Sequence, residues 1–149
     1  MQASSQSTEA GLHWTALSWR DRCRLVAMAM LLPAVDLALR CVGVHGTQRL
    51  LGLANEDAMT AGTPAPNDAA VQDAQQLARL ANIAGRRGLY ANTCLRQALA
   101  IQWWLRRKGL AAQLRIGAQA DQGVLQAHAW VELDGHALAQ SSELPPVLY

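Results

Sequence analysis

The chain has 149 residues, enough for one domain with a sizeable core. It is 51% hydrophobic and 16% charged, and a net charge of +2 without basic patches excludes the electrostatic surface that a nucleic-acid binder needs. Cys23, Cys41 and Cys94 are odd in number and irregularly spaced, which argues against a disulfide framework and a zinc site and for a reducing, cytoplasmic compartment.

"MQASSQSTEAG" lacks the basic and apolar regions of a secretory signal. From Leu17 to about Val42 the apolar spacing predicts a helix, with Ser18 as its cap and Pro33 ending or kinking it. Its most apolar run, "LVAMAMLLPAV", is about half the length of a membrane span, and Asp36 and Arg40 follow, so membrane contact is not expected. A shorter helix is expected over residues 46–54, then a loop in "NEDAMTAGTPAPND". Asp68 is placed as the cap of a helix over 69–85. Its core stripe is Val71, Ala74, Leu77, Ala78, Ala81 and Ala84, and "GRRG" ends it.

Asn92 or Thr93 caps the next helix, which ends at Gly109 with Arg106, Arg107 and Lys108 in its last turn. The period then changes to two. "AAQLRIG" and "VLQAHAWVEL" are strands around a turn in "AQADQG", and Asp134-Gly135 signals a hairpin into "HALAQS". The prolines of "ELPPVLY" exclude a further central strand. Helices followed by an antiparallel meander give an α+β fold. Residues 1–88 form a helical region that packs on a core of residues 89–149.

Cys94 falls in the first turn of its helix, on the face shared by Ala98, Ile101 and Leu105. Unpaired N–H groups and the positive end of the helix dipole favour a thiolate there. A histidine completes an activated nucleophile. His128 is the candidate, on a strand that follows the helix with one strand between. The plainer readings are a small apolar core residue for Cys94 and a packed structural residue for His128. Cys23, Cys41, His13, His45 and His136 keep the structural reading. Trp103 and Trp104 lie off the Cys94 face and read as packing or interface residues, and the basic run 106–108 reads as a helix-end charge cluster. The joint order of helix start, helix, strand and histidine raises Cys94 and His128 above these.

"NTCLRQALAIQWWLRRKGLAAQLRIG" followed by "AHAWVELDGHAL" resembles the transglutaminase-like core of lasso peptide leader peptidases, over about residues 85–140. The resemblance implies a transglutaminase/papain-like core with a catalytic helix and a small antiparallel sheet. It implies a cysteine protease of ribosomal-peptide biosynthesis that cuts a lasso precursor between leader and core, without a metal or other cofactor. Cys94 is then the nucleophile and His128 its general base. The family usually places a third residue, often Asp, on the strand after the hairpin; here "HALAQSS" has no carboxylate.

Hairpin register decides which residue stands there. A two-residue Asp134-Gly135 turn pairs Leu133 with His136 and sets His128 opposite Ser141; a three-residue loop sets it opposite Gln140. The family comparison favours Gln140, whose amide oxygen can hold the imidazole tautomer but not balance its charge. Ser141, Glu143 or no third member are the alternatives. If the His128 face looks toward the Cys94 helix, the aliphatic face of that strand needs a cover, which helices of residues 17–54 or a partner could supply. Family members with a fused leader-binding module carry it N-terminally. Residues 1–88 show no three-stranded alternation of that kind, so the expected partners are the precursor leader, a separate recognition protein and the cyclase. A non-catalytic scaffold and another acyl transfer on the same fold are the rival readings.

Overall fold

The computed structural model describes residues 17–54, 65–87, 93–121 and 124–138. Helix α1, Trp19–Leu50, begins where the apolar spacing begins. Ser18 occupies the cap position, but its side chain makes no capping bond. Pro33 neither ends nor breaks the helix. It lies on the exposed side, as does Ala29, whose carbonyl loses its partner to the missing proline N–H and can meet water instead. The break comes at Gly43, with φ 71° and ψ −176°, a left-handed φ that a side chain would resist. The buried Thr47 closes it by donating its hydroxyl to the Gly43 carbonyl at 2.8 Å. Beyond the break a second helical segment runs to Leu50, short of the expected residue 54. Backbone bonds from Gly52 N to Arg49 O and from Leu53 N to Gln48 O, 3.1 and 2.7 Å, turn the chain there. By length and composition α1 is also apolar enough to cross a membrane, a test that core helices of soluble proteins pass as well. Leu25, Met28, Leu32 and Val35 are buried in the core.

Helix α2 is Asp68–Arg87. Its cap is Asn67, not Asp68: the Asn67 Oδ1 accepts the Ala70 N–H at 2.8 Å. Ala74, Leu77, Ala78, Ala81 and Ala84 are buried as the stripe requires, and Leu80 joins them. Helix α3 is Cys94–Arg107. It ends in a Schellman turn at Gly109, with Gly109 N to Arg106 O at 2.9 Å and Leu110 N to Leu105 O at 3.1 Å. The basic run does structural work. Arg106 donates to the carbonyls of Ala112 and Leu53, Lys108 pairs with Asp73, and Arg107 lies over the Trp103 ring.

Strands β1, Ala112–Asp121, β2, Val124–Leu133, and β3, His136–Leu138, form an antiparallel sheet in the order β1-β2-β3. β1 runs through residues 118–121 of the expected turn, and residues 122 and 123 lie outside the described residues. Asp134 and Gly135 both have positive φ, 51° and 75°, and Leu133 pairs with His136. This is the two-residue hairpin of the primed class.

The aliphatic side of β2 does not need cover from α1. Ala129, Val131 and Leu133 share one buried cluster with Ala98, Leu99, Ile101 and Leu105 of α3. Helix α3 lies along β2: its first residue meets Ala127, and Gln102 and Arg106 reach Ala112, the partner of Leu133. The lengths match, since twelve residues of helix and six of strand each span about 20 Å. The expectation of a separate cover is therefore corrected: the aliphatic face is the one turned to α3. The same cluster takes in α1 and α2.

Candidate active site

Thr93 precedes α3 in an extended conformation, φ −100° and ψ 140°, without a side-chain capping bond. The first intrahelical bond runs from Gln97 N to Thr93 O at 3.3 Å. The N–H groups of Cys94 and Leu95 come before it and point out of the helix start, where an anion is favoured. Cys94 is half-buried, and its Sγ lies 4.0 Å from the carbonyl oxygen of Ala127. That residue immediately precedes His128. Across 33 positions the fold thus brings the thiol to the level of His128 on β2.

His128 is half-buried and pairs across the ladder with Gly117. Its ring stacks on Trp130, 6.2 Å between centroids and 22° between planes. Behind that stack runs a polar chain. The Trp130 indole donates to Glu132 Oε1 at 3.2 Å, Arg115 Nε donates to Glu132 Oε2 at 2.9 Å, and Arg115 Nη2 donates to Gln113 Oε1 at 2.8 Å. Trp130 is fully buried, so this chain holds the indole, and the indole supports the imidazole plane. Strand alternation gives His128 the face of Trp130 and Glu132, opposite to Ala129 and Val131. The thiol therefore meets the strand at a backbone oxygen.

Gln140, Ser141 and Glu143 lie outside the described residues. The hairpin register is the one that the sequence reading ties to Ser141 and not to Gln140. A role for Gln140 rests on the family resemblance alone. Cys23 and Cys41 are exposed on α1, and among the described residues no three metal-ligating side chains converge.

One pair beside the site escaped the sequence reading. Arg96, two residues after Cys94, donates from Nη2 to Asp36 Oδ1 of α1 at 2.5 Å. Arg40 Nε takes the other carboxylate oxygen at 3.1 Å. Asp36 and Arg96 are each 8% exposed, so a buried ion pair joins α1 to the first turn of α3. Two signals pointed to it. Asp36 interrupts an apolar run, and Arg96 places a cation at a helix start, against the macrodipole.

The family profile of the transglutaminase-like superfamily matches residues 38–146. No curated protein and no solved structure matches the chain.

Proposed function

Because the chain belongs to the transglutaminase-like superfamily, whose fold commonly serves cysteine-dependent enzymes, we propose that it is a cysteine peptidase that removes the leader from a lasso peptide precursor. The observation that carries the catalytic part is the placement of Cys94 at a helix start with its sulfur against the Ala127 carbonyl, next to His128. The resemblance of "NTCLRQALAIQWWLRRKG" and "AHAWVELDG" to leader peptidases supports the choice of substrate.

The Cys94 thiolate attacks the carbonyl carbon at the leader–core junction. The oxyanion forms beside the N–H groups at the start of α3. His128 takes the thiol proton and delivers it to the amine of the core, which leaves. The leader stays as a thioester until water, activated by the same imidazole, releases it as a carboxylate. The sulfur faces the Ala127 carbonyl beside His128, and catalytic contacts of this kind often tighten only with substrate. The register of β2 and β3 favours Ser141 as the orienting partner of His128, and the family comparison favours Gln140. The proposed partners are a separate leader-recognition protein and the cyclase that closes the core, in the cytoplasm.

The test is to incubate precursor, recognition protein and this chain and to follow the leader by mass spectrometry. Cys94→Ala should slow release by at least about 10³-fold. Release at the wild-type rate sinks the nucleophile assignment. A non-catalytic scaffold is the second reading, favoured by the lack of a carboxylate in "HALAQSS". It predicts that Cys94 alkylates at neutral pH no faster than the exposed Cys23 and Cys41.

A further inference from the structure

The first turn of α3 is poorly held by its own sequence. Its cap residue makes no side-chain bond, and the turn contains no acidic residue. Instead it contains Arg96, a cation at the end of the helix that disfavours one. What holds the turn comes from other helices. Arg96 is bound to Asp36 of α1 at 2.5 Å, and Gln97 Nε2 donates to the Ala81 carbonyl of α2 at 3.4 Å. A local rule is broken two residues from the nucleophile, and a buried carboxylate 60 positions away compensates for it.

We propose that Asp36 is a positioning residue for Cys94. Its carboxylate fixes the Arg96 guanidinium and, through it, the orientation in which the α3 start presents the thiol to β2. Arg40 on the second oxygen holds the carboxylate in the orientation that Arg96 needs. Asp36 lies just before the segment matched by the family profile, and Arg40 lies inside it. This inference rests on Cys94 being the nucleophile.

The experiment compares ion pairs at the two ends of α3. Asp73 binds Lys108 just past the far end of the helix, and serves as the control. Site-resolved alkylation of the full chain with iodoacetamide, read by mass spectrometry, follows Cys94 separately from Cys23 and Cys41. Asp36→Asn should slow Cys94 alkylation about tenfold and lower kcat for leader release, with KM within twofold. Asp73→Asn should leave both unchanged.

The double variant Asp36→Asn with Arg96→Gln removes both buried charges together and guards against simple unfolding, since a neutral pair avoids an uncompensated guanidinium. It should recover thermal stability but not the alkylation rate. Three results overturn the inference: wild-type alkylation of Cys94 in Asp36→Asn, equal slowing in Asp73→Asn, or a double variant that regains reactivity together with stability. Slow alkylation of Cys94 in the wild type removes the peptidase reading itself, and this inference with it.

Discussion

Cys94 and His128 differ in how their surroundings hold them, and the difference bears on what each substitution will do. The thiol is placed by a helix start, and a backbone oxygen is its contact at 4.0 Å. The imidazole is placed by a stack on Trp130, itself held through Glu132 and Arg115. His128→Gln keeps a flat polar side chain on the indole but cannot shuttle a proton at neutral pH. It should lower leader release by about 10²–10⁴-fold, the usual worth of a positioned general acid–base. Circular dichroism should stay that of wild type. Release within threefold of wild type would assign proton transfer to another group. Both residues were legible because helix starts and alternating strands follow from local spacing. Asp36 with Arg96 was not, because nothing local pairs side chains 60 positions apart.

At the scale of elements, local chemistry set most boundaries, and the misses have physical reasons. Asp134-Gly135 gave the hairpin and its two-residue register, because both residues tolerate a positive φ. Gly109 ended α3 for the same reason, inside a Schellman turn. Pro33 misled because the cost of a proline depends on which side of the helix it occupies, and the side is settled only by packing. The break moved to Gly43, ten residues on. Three residues later, Gly46 meets a different constraint. A Cβ added there would lie 2.6 Å from the Val42 Cβ, which is fixed to the helix backbone and cannot swing away. Gly46→Ala must therefore shift one helical segment against the other, and Thr47, which closes the break, is buried beside it. The expected cost is about 1–3 kcal/mol, as for other overpacked sites. Chemical denaturation measures it, and a loss below about 0.5 kcal/mol would mean that the break re-forms freely.

At the scale of the whole molecule, the three helices among the described residues share one core and are tied by ion pairs at separate points. Asp73 on α2 binds Arg24 of α1 at 2.6 Å and Lys108 beyond α3 at 2.7 Å. Burial alone would raise the Asp73 carboxyl. Hydrogen bonds and charge from Lys108 and Arg24 outweigh burial and hold it below its usual value of 3.8. A depressed carboxyl stabilises the folded chain fully above the unfolded value, and that contribution is lost as pH falls through the folded one. The Asp73 side chain is 38% exposed, so solvent and salt screen the pair, and each contact is worth about 0–1 kcal/mol. The stability gap between wild type and Asp73→Asn should therefore be small and constant from pH 7 down to about pH 4. It should close on further acidification and shrink in high salt at any pH. Urea denaturation of both proteins between pH 7 and pH 2 reads the gap directly. A gap that stays flat to pH 2, or widens as the carboxyl protonates, would mean that Asp73 stabilises the helices through packing rather than charge.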